Sequence, residues 1–530
     1  MIHIILNTFV FFFITIFYFY SLTGYGKLLA KNNFSIDKNY NFFELQFFGL
    51  IIKIVIGFIL YITIGTNLII NFIILLIGFF LYFFYKKELN QIKLSYILIL
   101  TLSIFTVLII SKTHEDFNSY HYFSIHEIFN NGLRLGVTKL KIEFFHSSLL
   151  TYEQSLLILP YFNFKLVNLP IFLIYLSVLG YFFNILLLHN KKKEIFYSII
   201  SIIILLVKFN RLGAYGYDYI AQFLLLIVFH KIYFYSSNEK ELFKSILFFL
   251  LSILIKPVSL LFSPIFLYLI YKNRLNFNLK LIFSNIIIII SLLFILFSSS
   301  FLKSGCVFYP LNSSCLSTEK VFWSEKDRME EYSESIKLWS QGYYVNKSLA
   351  HKTKDERYTK IDNKIAYQEN FNWVRIWFEH HFFYKVFEFL MISIFTLITV
   401  HIYFKRDNFE ESNNFTDKIA FNLLLFLSVI FWFLAIPQFR FGFSILFIFL
   451  FLLFDIFLNL KITFNKKKFT YLILFCLIIL NVKNINRINS EFKRNDFYKF
   501  TNFPFYNEIK IKNDYSNLTK SKFFFIELLK

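Results

Sequence analysis

Apolar runs about 16 to 24 residues long follow one another along most of the chain, separated by short stretches rich in lysine and asparagine. An α-helix rises about 1.5 Å per residue, so a run of about 20 residues crosses the ~30 Å hydrocarbon core of a bilayer. The apolarity is continuous rather than alternating, which excludes a transmembrane barrel. The pattern predicts an all-α, polytopic transmembrane helical bundle of about fourteen spans between Ile4 and Leu480. The first run, Ile4 to Tyr20, has no basic residue ahead of it and no small-residue cleavage site after it, so a retained span is expected. Pro257 splits one long apolar stretch beside Lys256, either as a tight turn between two short spans or as a broken helix lining a cavity.

Two stretches depart from the pattern, at residues 112–165 and 299–383. They are read as outer loops of a transmembrane domain covering 1–483, with 484–530 as a polar, basic extracytoplasmic tail or small cap. Within the first loop, Tyr120, His121 and His126 alternate with Phe123, Ile128 and Phe129, as expected of an amphipathic helix in the membrane interface. Trp373 and Trp377, with His380 and His381, suggest a second such helix leading into a span.

Composition agrees with the pattern: of 530 residues, 57% are hydrophobic and 22% aromatic, and 17% are charged, against about a quarter in soluble domains. The formal charge of +21 would suit a nucleic-acid partner, but its surplus lies in short inter-span loops, so no nucleic acid is expected. Lys86, Lys87 and Lys93, Lys191 to Lys193, Lys240 and Lys244, and Lys466 to Lys468 all fall on one side. The positive-inside rule makes that side cytoplasmic and puts both long loops outside. The short loops opposite hold only Lys208, Arg211, Lys256 and Arg440.

The first long loop carries the candidate chemistry. His114, Glu115 and Asp116 follow a span directly, where a carboxylate can serve as general base or help hold a divalent metal. The competing reading makes Asp116 a helix cap. Tyr120, His121, His146 and Ser147 offer phenol, imidazole and hydroxyl groups for sugar or phosphate, or cap and anchor the loop. Arg211, Asp218, Lys256 and Arg440 sit at the outer ends of spans, where charge is costly. Arg440 and Lys256 suit the phosphate of a lipid-linked ligand, or they snorkel to headgroups. Cys306 and Cys315 flank a proline-containing segment on the expected outer side and favour a disulfide, whereas Cys476 lies inside a span. No zinc spacing, Walker loop or glycine-rich dinucleotide motif is present.

With these residues in view the chain resembles the polytopic membrane proteins of the GT-C glycosyltransferase superfamily, in a poorly characterised bacterial subset that looks related to polyprenyl-phosphate-sugar-dependent transferases. The resemblance rests on DFNSYHYFSIHEIFNNGLRLGVTKL with FFHSS, on LIKPVSLL, SGCVFYPLNSSC and NWVRIWFEHH, and on PQFRFG before a late span. It implies an acidic residue in an outer loop beside a cavity for the lipid-linked sugar. Asp116, with Glu115 beside it, would take that position, with Lys256 and Arg440 as phosphate binders and Mg or Mn as the metal if Asp116 holds one. The expected activity is transfer of a sugar from a polyprenyl-phosphate donor to a cell-envelope glycan, lipid or protein on the outer face of the bacterial cytoplasmic membrane. A lipid-linked oligosaccharide flippase or transporter and an envelope polysaccharide polymerase are the competing expectations.

Overall fold

The computed structural model describes residues 2–34, 41–85, 94–109, 116–146, 148–188, 192–211, 216–235, 238–273, 279–353, 363–404, 415–458, 465–494, 504, 520–523 and 526–529. Its first three helices, Ile2–Phe34, Glu44–Ile62 and Leu68–Phe84, pack backbone against backbone. Glycine permits this. A Cβ on Gly24 would lie 1.9 Å from the Gly78 carbonyl oxygen, and one on Gly49 would lie 2.1 Å from that of Leu22. Close approach of this kind is how helices associate where lipid offers no hydrophobic drive.

The centre of the molecule is built from helices Leu169–Leu188, Lys192–Val207, Gly216–Tyr235, Glu239–Ile255 and Phe439–Leu458. They contribute an almost continuous apolar core, from Phe172 and Tyr175 through Phe223 and Phe229 to Phe447 and Phe451.

The chain is an all-helical, multi-span membrane protein, but the expected fourteen spans are not found. Among the described residues seven helices are long and apolar enough to cross a bilayer: Ile2–Lys31, Glu44–Ile62, Phe164–Leu187, Ile286–Ser304, Trp373–Tyr403, Phe439–Phe457 and Lys466–Ser490. Four more apolar helices, Leu68–Phe84, Leu94–Ile104, Pro257–Tyr268 and Ile419–Ala435, are shorter. Hydropathy scores any apolar run as a span, whether lipid or protein surrounds it. The 11 residues of Leu94–Ile104 reach only about 17 Å. Helix Gly216–Tyr235 is long enough but buries Asp218, Gln222, His230 and Lys231 within the protein.

The helix expected in the first long loop is present as Tyr122–Asn131, and it packs Tyr122, Phe123, Ser124, Ile125, Glu127 and Ile128 into the protein. Its end is tied by Arg134, which donates to Glu127 at 2.8 Å and to Asn131 at 2.9 Å. Strand Arg134–Leu135 pairs in parallel with Ile526–Leu529, which pairs antiparallel with Lys520–Phe523, a small sheet that adds to the helical fold. Helix Lys466–Arg494 runs unbroken through the expected boundary at 483/484.

A cavity at two helix breaks

Two prolines interrupt the helical columns at one end of the bundle. Lys256 is extended, with φ −152° and ψ 114°; it ends helix Glu239–Ile255, and Pro257 opens the 3-10 turn Pro257–Phe262. Ser252 and Ser259 bridge the break: the Ser252 hydroxyl is 2.6 Å from that of Ser259 and 2.8 Å from the Ala221 carbonyl oxygen. Non-helical backbone in an apolar bundle is tolerated where protein supplies partners, and here the Ser259 hydroxyl reaches the Ser252 carbonyl at 3.4 Å.

The second break, at Ile436-Pro437-Gln438, precedes helix Phe439–Leu458. The Trp377 indole donates to the Pro437 carbonyl at 2.5 Å and the Trp432 indole to that of Gln438 at 2.9 Å. The Phe439 N–H donates to His381 Nε2 at 2.9 Å, which fixes the proton of a neutral His381 on Nδ1. Gln438 itself donates to the Ser340 carbonyl at 3.0 Å. These contacts set Arg440 on the first turn of its helix.

Between the breaks opens a cavity of about 1280 Å³. Arg440 is its central charge. Nη1 donates to Asp116 Oδ2 at 2.9 Å, and Nε lies 3.2 Å from Asp218 Oδ2. Lys256 Nζ is 3.0 Å from the other oxygen of Asp218. The guanidinium also sits over the Trp339 ring at 4.8 Å and the Phe441 ring at 5.1 Å, within cation–π range. Of the four charged side chains Asp116 is the most exposed at 26%, against 5% for Asp218. Asp218 therefore organises the two cations, and Asp116 is the carboxylate open to a ligand. Six cations, Arg211, Lys256, Lys337, Lys385, Arg440 and Arg487, line the space against two carboxylates, Asp116 and Glu143. Such a balance favours an anion.

A second group faces the same space. His146 Nε2 is 3.1 Å from the Tyr120 hydroxyl, and its Nδ1 is 3.1 Å from that of Tyr332. Burial first, then Lys256 and Arg440, hold the imidazole well below its usual pKa, with Asp218 opposing. Burial, Asp116 and Asp218 push the Tyr120 phenol up against the pull of Arg440. All three side chains are thus neutral near pH 7. Tyr332 belongs to helix Lys326–Gln341, whose neighbours Met329, Phe145 and the bonded pair Cys306–Cys315 form one apolar cluster. The disulfide loop holds this wall in place.

The structure therefore brings Asp116, Tyr120, His146, Arg211, Lys256 and Arg440 to one cavity, with Asp218 bridging two of them. His121 lies behind, packed between Tyr120 and Tyr217 with ring centroids 4.0 Å and 3.9 Å away. His114, Glu115 and Ser147 lie outside the described residues. Among the described residues no group of three or more His, Cys, Asp or Glu side chains converges to hold a metal ion. Asp116 pairs with the Arg440 guanidinium, and a divalent ion there would need further oxygen ligands beside it. Tyr309, Tyr332, Lys337, Trp339, Lys385 and Arg487 also line the cavity and carried no sequence signal as site residues. Lys337 and Trp339 sit in a charged stretch that reads as a solvated face, and only the disulfide motif beside Tyr309 pointed to this region.

No curated protein and no solved structure matches the chain. Residues 8–447 match the family described as a domain of unknown function (DUF8201), and with most of its length covered the chain belongs to that family.

Proposed function

We propose that this membrane protein transfers a sugar from a polyprenyl-phosphate donor to a hydroxyl of a cell-envelope glycan, lipid or protein, at the outer face of a bacterial cytoplasmic membrane. One observation carries the reading: Asp116, a partly exposed carboxylate held against Arg440, sits beside a cation-rich cavity whose edge is apolar. Val258, Leu260, Leu261, Ala435 and Ile436 supply that edge, suited to a hydrocarbon chain whose headgroup reaches the cations.

The reaction asks three things of the chain. Asp116 accepts the proton of the acceptor hydroxyl as its oxygen bonds to the anomeric carbon. The bond from that carbon to the phosphate oxygen breaks, and the electron pair leaves with the polyprenyl phosphate. Arg440 and Lys256, held by Asp218, then stabilise the charge gathering on the phosphate, Arg440 through its planar fork and Lys256 as a point charge. No step is routed through a metal.

Membranes bearing the Asp116→Asn protein at unchanged expression are expected to lose glycan transfer by about a hundredfold or more, as for removal of a general base. Arg440→Lys is expected to lose about tenfold or more, because an ammonium cannot reach both carboxylates. Undiminished transfer in Asp116→Asn overturns the assignment.

Movement of a lipid-linked glycan across the bilayer is the second reading. It is favoured by Lys53, midway along helix Glu44–Ile62, 3.5 Å from Glu153 and 4.4 Å above the Tyr18 ring, all deeply buried. Transfer that survives Asp116→Asn but fails in Lys53→Met would favour it.

A further inference from the structure

We infer that the Tyr120–His146–Tyr332 wall is the subsite for the substrate's sugar ring, and that its hydrogen-bond chain reads the ring hydroxyls. This rests on the glycosyl-transfer reading and assigns a second role within the same cavity. Arg440 and Lys256, joined through Asp218, suit phosphate. The wall adds three neutral groups and the ring of Tyr309, whose centroid lies 6.1 Å from that of Tyr332 and 5.9 Å from that of His146. A phosphate gains little from that wall, whereas a sugar ring presents both apolar C–H faces and hydroxyls.

The hydrogen-bond count makes the wall selective. A neutral imidazole has one N–H and one lone pair, and here each nitrogen meets a phenol. One phenol must donate to His146 and the other must accept from it. The accepting phenol keeps its own proton to give to a ligand, and the donating phenol keeps its oxygen to receive one. Either tautomer therefore offers the cavity one donor and one acceptor, and exchanging tautomers only swaps which tyrosine holds which. Rigid aromatic rings fix both: His146 and Tyr332 stack with an interplanar angle of 12° and centroids 5.5 Å apart. A site built to hydrogen-bond a ligand hydroxyl discriminates strongly against a ligand lacking it.

The test uses the full-length protein in lipid nanodiscs and isothermal titration calorimetry. The probes are farnesyl phosphate and the same lipid carrying glucose, galactose, mannose or N-acetylglucosamine. Wild type is expected to bind at least one glycosylated probe about tenfold more tightly than farnesyl phosphate, the worth of one to two hydrogen bonds. Tyr332→Phe and Tyr120→Phe keep the rings and remove one hydroxyl each. They are expected to cut that preference to about twofold or less while leaving farnesyl phosphate binding unchanged. A preference retained in both variants overturns the proposal, as does the absence of preference for any of the four sugars in wild type. Farnesyl phosphate binding separates the two claims: if Arg440→Met and wild type bind it equally, the phosphate site of the proposed function falls.

Discussion

His146 meets the Tyr120 and Tyr332 hydroxyls at both of its nitrogens only while it is neutral, because a protonated imidazole has no lone pair to accept with. Burial, then Lys256 and Arg440, oppose protonation of the ring, and Asp218 pulls the other way. The folded-state pKa is therefore depressed below the unfolded value of about 6.5. Between the two values the unfolded chain binds more protons, so stability falls as pH drops. The contribution is complete above about pH 6.5 and is lost as pH falls toward the folded-state value. Thermal unfolding in nanodiscs at pH 7.5, 6.5 and 5.5 is expected to show a steeper drop in Tm for wild type than for His146→Gln. Parallel curves would show that the imidazole does not titrate differently on folding. At this scale the sequence is readable where a residue type is rare. Asp116, Lys256 and Arg440 stand out because charge is costly in an apolar chain. Tyr332 and Trp339 do not, because a chain with 78 Phe and 34 Tyr offers aromatic residues everywhere, and only tertiary contact selects these two.

Helices were legible in kind but not in number. The most apolar window of Phe164–Leu187 is 94% buried in protein, whereas that of Ile2–Lys31 is 22% buried, yet their mean hydropathies are 2.0 and 2.1. Hydropathy measures the residue and not its neighbour, so it cannot tell a core helix from a lipid-facing one. Of the two breaks beside the cavity, the one at Pro257 was legible, since proline cannot continue a helix, whereas the one at Pro437 emerged only from the structure. The glycine contacts needed the structure. Gly49 sits where a Cβ would meet the Leu22 carbonyl oxygen at 2.1 Å and the Leu22 Cα at 3.0 Å, both parts of a rigid backbone. Gly49→Leu must therefore push helix Ile2–Phe34 away and open its contact with Glu44–Ile62. A loss of roughly 2 kcal/mol or more is expected, in the range of overpacking costs, read as a clear fall in Tm in nanodiscs. Gly65→Ala, in open space but at φ +76°, should cost about 1 kcal/mol from backbone strain alone. Equal effects would mean that helix contact at Gly49 adds nothing.

Charge is concentrated at both ends of the bundle. Helix Gly216–Tyr235 joins the two ends, with Asp218 in the cavity and Lys231 in a second buried network with Glu44, Glu241 and Lys244. Asp218 and Lys231 lie thirteen positions apart, about 20 Å along the helix, less than the ~30 Å hydrocarbon core. Both clusters are sheltered by protein, as charge within an apolar bundle must be. On the positive-inside expectation the second network would face the cytoplasm and the cavity the opposite side. Ser333, on the cavity wall, and Lys240, in the first turn of helix Glu239–Ile255, are positions from which to test that assignment. The native cysteines leave the background low, since Cys306 and Cys315 are bonded and Cys476 is buried. In intact spheroplasts a membrane-impermeant maleimide is expected to label Ser333→Cys and spare Lys240→Cys until the membrane is opened. The reverse pattern would put Asp116 on the cytosolic side, out of reach of an externally displayed donor lipid. Labelling of both from one side would mean that the two clusters are not separated by the bilayer.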